Sequence, residues 1–299
     1  MRVVISGGTG FVGTALTALL KKQGHDVIIL TRGDSKTQDG VQYVQWLHAD
    51  SQPAKEIKQA DAFVNLAGVS LNSGRWTEKR KFEIYDSRMQ ATITIAEIIE
   101  ALEVKPEVLV NASAVGIYPT STSAIYTESS SVVADDFLGQ TVHDWERMAH
   151  RVERFGVRVA TGRFGVILGR DEGALPMMAL PYKMHVGGVV GSGEQWLSWV
   201  HVEDVARALY FAITTTDLEG PFNITAPQPL RMKDFSYVLS VVLQESDWLP
   251  VPELPLKLAL GEQSKLVLEG QHVLASKLAK HQFTFMYPTA YEALENIYG

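Results

Sequence analysis

Residues 2–13 constrain this chain more than any other stretch. Arg2-Val3-Val4-Ile5-Ser6 reads as a short buried strand, mostly apolar and carrying two β-branched valines. It runs directly into Gly7-Gly8-Thr9-Gly10-Phe11-Val12-Gly13, after which Leu16, Leu19 and Leu20 mark one face of a helix. Strand, glycine turn and helix in that order form the geometry that grips a dinucleotide pyrophosphate. Gly7 permits the tight turn, Gly10 keeps a Cβ out of the path of the phosphates, and Gly13 lets helix and strand pack closely. The helix start, where Phe11 and Val12 precede Gly13, offers free N–H groups and a partial positive charge to an anion. A glycine turn of purely structural use is the plainer alternative, and the flanking strand and helix weigh against it.

The rest of the first half repeats the alternation. Asp26-Val27-Ile28-Ile29-Leu30 reads as a second strand, followed by a polar loop from Gly33 to Gly40 and a shorter strand around Val41–Trp46. Ala62 to Gly68 is a strand running out into a loop. A long helix over Thr77–Leu102 has an apolar stripe of Ile84, Ile95, Ile98, Ile99 and Leu102, and Lys105-Pro106 ends it. Glu107 to Ser113 is the next strand, Trp145–Phe155 looks helical, and Val157–Ala160 returns as strand. Alternating strands and helices with apolar, β-branched strands predict an α/β fold: a Rossmann-type, doubly wound parallel sheet. Past Arg163 the texture changes, with glycines and prolines dense between Gly165 and Gly193. The expected division is a nucleotide-binding domain over residues 1–165, with strand and helix returns near 198–226, and a smaller, mostly helical C-terminal region over 166–299 that caps the substrate side.

Composition narrows the class. A chain of 299 residues with 46% hydrophobic content can bury a large core, and two structural units are expected of that length. A net charge of −7 and no basic cluster argue against nucleic acid as a partner. The absence of cysteine removes disulfides, thiolate nucleophiles and zinc–cysteine sites, and suits the cytoplasm. No signal peptide or membrane span is expected. The eight histidines show no HxH or HExxH spacing. His143 and His150, seven apart, lack a third ligand, so no metal site is expected.

The end of the second strand selects the coenzyme. An acidic residue there would accept from the adenine ribose 2′-OH and favour NAD, whereas this chain has Leu30-Thr31-Arg32-Gly33. Arg32 can pair with a 2′-phosphate through its planar fork, so NADP(H) is favoured over NAD(H). Asp34 lies close by but follows a glycine.

With these residues in view, the chain resembles the extended, atypical short-chain dehydrogenase/reductase superfamily in its NAD(P)-dependent epimerase/dehydratase style. The resemblance rests on the opening glycine motif, Asn65-Leu66-Ala67-Gly68, Asn111-Ala112-Ser113-Ala114-Val115-Gly116-Ile117-Tyr118, and Trp199-Val200-His201-Val202-Glu203-Asp204. Arg75-Trp76-Thr77-Glu78, Asp144-Trp145-Glu146, Gly191-Ser192-Gly193-Glu194-Gln195 and the Leu260–Gln271 tail narrow it further. They are similar to epimerase-family proteins with a C-terminal domain of unknown function, among them bacterial proteins once labelled cell-division inhibitors. The resemblance spans the chain and implies a coenzyme site that includes Leu66, Ala67 and Gly68. It also allows a homodimer through the long helix and its successor. It names no substrate.

In that superfamily a tyrosine and a lysine four residues later move the proton, helped by a serine, because the lysine charge lowers the phenol's pKa. No tyrosine of this chain has a lysine at that spacing. Matching the helix after the serine strand puts Val142 at the tyrosine position and Glu146 at the lysine position, where a carboxylate could accept from ribose hydroxyls. A slip of one residue would instead bring in His143, whose imidazole titrates near neutrality. Ser113 is the retained member, placed to bond a substrate carbonyl or simply to cap the strand end, and Tyr118 lies in a loop expected to line the pocket, where its phenol either reaches substrate or packs as an aromatic. The candidate catalytic groups are therefore Ser113, Tyr118 and His143, with water as a further proton source. Two functions follow: an NADP(H)-dependent oxidoreductase or epimerase-like enzyme on a small molecule, or a non-catalytic NADP(H)-binding protein that senses redox state or regulates a partner. His201 reads as a structural histidine, and Arg75 and Trp76 either help close the pocket or cap and pack the long helix.

Overall fold

The computed structural model describes residues 1–247 and 249–299. The chain opens with β1 (Arg2–Ser6), α1 (Phe11–Lys22), β2 (Asp26–Thr31), β3 (Lys36–Gln38), β4 (Val41–Gln45), α2 (Pro53–Ile57), β5 (Ala62–Asn65), α3 (Glu78–Ala101) and β6 (Val108–Ala114). It continues through β7 (Ile125–Tyr126), α4 (Phe137–Ala149), β8 (Arg158–Phe164), β9 (Val166–Leu168), α5 (Leu175–Lys183), β10 (Trp196–Leu197), β11 (Trp199–His201), α6 (Val202–Thr214) and β12 (Gly220–Ile224). The last elements are β13 (Leu230–Arg231), α7 (Met232–Leu243), α8 (Glu253–Leu260), α9 (Lys265–Leu268), β14 (His272–Val273), α10 (Ser276–Lys280) and α11 (Ala290–Tyr298).

Eight strands form one sheet in the order β12-β8-β6-β5-β1-β2-β4-β3. Every neighbouring pair is parallel except β3 with β4. Near-continuous apolar runs such as Val3-Val4-Ile5 and Ala62-Phe63-Val64 are buried on both faces, as a helix-covered parallel sheet requires. On one face α1 packs on α6, with Leu16 and Leu20 joining Val205, Leu209 and Ile213. On the other, Ile95, Ile98 and Ile99 of α3 cover Val4, Phe63 and Leu109. From β1 the chain builds outward through β2 to β4, then returns to place β5 on the other side of β1. This reversal opens a crevice at the carboxyl ends of β1 and β5, where ligands of such sheets bind. A separate core in the C-terminal half is built around Trp199, Tyr182, Phe235 and Leu294.

The long helix matches its expected span, with Thr77 as N-cap accepting from the Arg80 N–H at 3.2 Å. Two local expectations are corrected, and one unassigned stretch is resolved. The Gly33–Gly40 loop contains β3, folded back on β4 through Asp39-Gly40, both at positive φ (52° and 73°), as a tight hairpin turn needs. Helix α4 begins eight residues before Trp145, at Phe137, because Asp136 caps it by accepting from the Gly139 N–H at 3.0 Å. The glycine- and proline-rich stretch holds α5, where Pro176 sits in the first turn and so removes no needed N–H. Among the described residues no helix is long and apolar enough to cross a membrane.

His201 has a defined structural use: it caps α6, its Nδ1 accepting from the Glu203 N–H at 3.1 Å, and it is 3% exposed. Burial pulls the imidazole below its ordinary value, against the pull of Glu203 and Asp204. As pH falls, the unfolded chain binds this proton before the folded one does. The stability is therefore full above the ordinary histidine value of 6.5 and declines below it. A His201→Asn variant, which keeps a capping acceptor, is expected to lose less stability than wild type between about pH 7 and pH 5. Parallel thermal melts across that range check this, and identical pH slopes would contradict it.

Candidate functional site

The glycine turn has the shape its residue types require. Gly7 sits at φ +69°, and a Cβ there would lie 2.7 Å from the Leu66 carbonyl oxygen. A Cβ on Gly13 would come within 2.2 Å of the Gly7 oxygen, so α1 can approach the turn this closely only with glycine. Gly10 caps α1 without a side chain, and a Cβ built on it meets only the Gly7 oxygen, at 3.4 Å. The N–H groups at the start of α1 thus have no side-chain cap. This cradle fits a diphosphate. The Phe11 ring packs against Gly169 and Gly173, and Val12 is in the core with Leu16, so what these two residues can offer a ligand is backbone N–H.

Thr31 and Arg32 close β2. The Gly33 N–H donates to Thr31 Oγ1 at 3.1 Å, while Arg32 is exposed and makes no ion pair with the described residues. Across the crevice, Leu66-Ala67-Gly68 leaves β5 over a sealed polar network. Asn65 accepts from Ser6 Oγ (2.7 Å) and donates to Asn111 Oδ1 (2.7 Å) and Thr92 Oγ1 (3.0 Å). Trp145 Nε1 donates to the same Thr92 oxygen at 3.0 Å. Asn65 and Asn111 are fully buried, so these bonds fix the carboxyl ends of β1, β5 and β6 relative to one another.

Beside that network lies an ion pair that no single motif announces. Arg163, paired in register with Ser113 on β6, reaches Glu146 of α4 with two bonds, Nε to Oε1 (2.7 Å) and Nη2 to Oε2 (2.8 Å). Ser113 donates to Glu146 Oε1 at 2.5 Å. The third guanidinium nitrogen, Nη1, donates to the Tyr118 hydroxyl at 2.8 Å. That hydroxyl has Asn223 Oδ1 at 2.9 Å and the Thr127 carbonyl at 3.1 Å as acceptors for its own proton. Desolvation alone would lower the Arg163 guanidinium, but the Glu146 carboxylate holds it above its ordinary value. The pair's side chains are 8% and 11% exposed.

The sequence-derived candidates fall into distinct places. Ser113 is beside Glu146 as expected, but it is 2% exposed and its one proton goes to the carboxylate. Glu146 occupies the position matched to the lysine, yet its principal partner is Arg163 rather than open space. Of the two readings of Tyr118, a phenol reaching substrate or a packed aromatic, the structure shows the second: it is 1% exposed, stacked on Tyr126, and burial pushes its phenol up, away from proton exchange near neutrality. The expectation for His143 is corrected. Its side chain is 48% exposed beside Asp144, whereas Val142 and Glu146 turn inward, so the register without the one-residue slip describes α4. Trp76 packs edge-on to Phe137 and donates to the Leu71 carbonyl at 3.0 Å, and Arg75 lies against Gly261. Gln263 donates to that same Leu71 carbonyl at 3.0 Å, and Lys81 pairs with Glu262 at 2.5 Å, tying the C-terminal region to the loop after β5.

Arg163, Arg88 and Asn223 were not singled out from the sequence. Arg163 had a usable signal, an arginine closing the uncharged run Val159 to Gly162 of a buried strand, which implies a partner. Arg88 and Asn223 carry none, because only the tertiary fold brings them to the crevice.

A doubly wound parallel sheet with a glycine cradle at its switch point defines a dinucleotide-binding α/β protein of the extended short-chain dehydrogenase/reductase type. Residues 3–225 match the NAD-dependent epimerase/dehydratase family, and residues 251–297 match a domain of unknown function, DUF1731. The chain belongs to the NAD-dependent epimerase/dehydratase family and is an NAD(P)-binding protein. It is 45% identical over 298 residues to epimerase family protein YfhF of Bacillus subtilis, covering 99% of this chain and 98% of that one. It is 42% identical over 297 residues to epimerase family protein SERP0438 of Staphylococcus epidermidis, covering 99% and 98%. Among solved structures, human epimerase family protein SDR39U1 (isoform 2) with NADPH superposes with a TM-score of 0.89 at 32% identity, over 99% of each chain. A Bacillus cereus UDP-glucuronic acid 4-epimerase shares the fold, at a TM-score of 0.80 and 16% identity, over 100% and 98%.

Removing one partner of a buried ion pair strands the other. Glu146→Gln is expected to cost about 3–5 kcal/mol of folding stability, and Glu146→Leu combined with Arg163→Met to recover most of it. Denaturant unfolding of the three proteins measures this. A single-variant loss below about 1 kcal/mol, the size of an exposed pair, would show that the charges are not desolvated.

Proposed function

We propose that this protein binds NADP(H) in preference to NAD(H) and works as an oxidoreductase on a small molecule bearing a carbonyl or secondary hydroxyl group. The observation that carries the coenzyme preference is the end of β2. No carboxylate closes that strand, and an exposed arginine without an ion-pair partner among the described residues stands there instead. The NADPH held by the human relative supports the same preference. Gly7, Gly10 and Gly13 with the start of α1 would hold the diphosphate, Thr31 and Arg32 the 2′-phosphate, and Leu66 to Gly68 the crevice's opposite lip. When bound, the coenzyme supplies the hydride donor or acceptor.

Of this chain's own groups, Ser113 and Glu146 are the polar pair at the end of β6. With its proton directed to Glu146, Ser113 Oγ has lone pairs left to accept from a substrate hydroxyl. Arg163 fixes the carboxylate's orientation. A second reading is a non-catalytic NADP(H)-binding regulator, and the burial of Ser113 together with the closed Glu146–Arg163 pair favours it, since neither residue has a free charge to offer.

Calorimetry decides the coenzyme. NADPH is expected to bind at least tenfold more tightly than NADH, and Arg32→Ala to remove that advantage, since a hydrogen bond between charged groups is worth about 1.5–3 kcal/mol. Equal affinities in wild type would end the NADP(H) assignment. NADPH oxidation against a panel of aldehydes, ketones and sugar nucleotides separates the two functions. Turnover lost in Ser113→Ala supports the enzyme. Tight binding without turnover, with NADP+ and NADPH held unequally, supports the regulator.

A further inference from the structure

Besides the exposed Arg32, two more enclosed guanidinium groups stand by this crevice, and the fold treats them differently. Arg163 is neutralised by Glu146. Arg88, on α3, has no carboxylate partner among the described residues. Its Nη1 donates to the Ile84 carbonyl (2.8 Å) and the Val69 carbonyl (3.3 Å), and its Cζ lies 5.2 Å from the centroid of the Trp145 ring. Nε and Nη2 have no hydrogen-bond partner among the described residues. Neither is among the fully sealed unpaired atoms of the fold, so both retain access from outside.

The guanidinium is pressed against the crevice lip. A Cβ built on Gly68 would lie 3.2 Å from Arg88 Cζ. The same Leu66–Gly68 segment touches the Gly7 turn on its other side. Burial, and then the charge of Arg80, push the Arg88 guanidinium down to about 10. Arg80 has its own acid, Glu83, at 3.0 Å. A partly desolvated cation that meets only carbonyls, an aromatic face and another cation is costly to keep. A methionine or glutamine could serve the packing against Trp145 without that cost. The fork of a guanidinium matches the oxygens of a phosphate or carboxylate.

We propose that Arg88 is an anion-binding residue, its free Nε and Nη2 holding a phosphate or carboxylate oxyanion at the Gly68 edge of the crevice. The oxyanion has two sources, the diphosphate of the dinucleotide or an acidic group on the small-molecule substrate. The inference rests on the reading of this crevice as the coenzyme site, and the test separates the two.

Calorimetric titrations with NADPH, and with inorganic phosphate before and after NADPH saturation, are compared for wild type, Arg88→Met and Arg88→Lys. Thermal melts without ligand establish folding. Arg88→Met is expected to melt no lower than wild type, because it removes an unpaired, partly buried charge. Arg88→Lys keeps the stem and the charge without the fork, and carries the comparison if the methionine variant does not fold. NADPH binding weakened about tenfold or more in Arg88→Met, and partly restored in Arg88→Lys, assigns the diphosphate. Unchanged NADPH affinity, with phosphate bound by NADPH-saturated wild type and lost in Arg88→Met, assigns the substrate's acid. NADPH and phosphate affinities both unmoved by Arg88→Met overturn the proposal, as does wild type that takes up phosphate in neither state while its NADPH affinity ignores the substitution. If wild type fails to bind NADPH, the proposed function falls, and phosphate binding to the unloaded proteins still decides the role of Arg88.

Discussion

The carboxyl edge of this sheet is organised by one charge pairing, Glu146 with Arg163. A carboxylate on a helix and a guanidinium on a strand are each costly to bury alone, and here each satisfies the other through two bonds of 2.7 and 2.8 Å. The remaining valences extend the pairing in both directions. Ser113 ties it to β6, and Tyr118 ties it to Asn223 of β12, whose side-chain amide donates to the Leu274 carbonyl at 2.9 Å. A line of side-chain bonds thus runs from the crevice to the C-terminal segment, which is further fixed where β14 pairs with β7. Because every member is bonded, the line sets geometry across four elements without leaving a polar group stranded.

This pairing also accounts for what the site lacks. In the wider superfamily a cation on the helix lowers the pKa of a neighbouring phenol. Here the cation has moved to a strand, the helix carries the carboxylate, and the phenol that meets the guanidinium, Tyr118, is buried and directs its proton inward. The position matched to the usual tyrosine is Val142, which packs with Val115, Ile117 and Tyr126. An apolar cluster lies where a titrating hydroxyl would have to reach solvent.

Much of the architecture was legible because it rests on local pattern. The β1 turn follows from glycine spacing alone, since no other residue fits where a Cβ would lie 2.2 Å from a carbonyl. The stripe from Ile84 to Leu102 placed α3 because its spacing is helical. Asp39-Gly40 carried a hairpin signal that the surrounding polar residues masked. Helix α5 gave little signal, because it carries Pro181 in its interior besides Pro176 in its first turn and has no side-chain N-cap. The site divides in the same way. Ser113 and Glu146 could be placed by motif and spacing, whereas the partner that defines them lies 17 residues beyond Glu146 and meets it only through strand register. Tyr118 stands in the same motif as Ser113, but motif position says nothing of which way a side chain turns, and the structure turns it inward.

Charge at the crevice gives the last constraint. A carboxylate in place of the lysine would, uncompensated, repel the diphosphate that the glycine cradle is shaped to hold. Arg163 cancels that charge where it arises. Arg88 then stands across the site with a positive charge that nothing in the described fold answers, and the start of α1 adds its own partial positive charge from the β1 side. The Glu146 carboxylate is thus answered within the fold, whereas the Arg88 guanidinium meets only carbonyls, an aromatic face and Arg80. Compensation for the carboxylate comes from β8, and the cation left without a carboxylate partner among the described residues stands on α3.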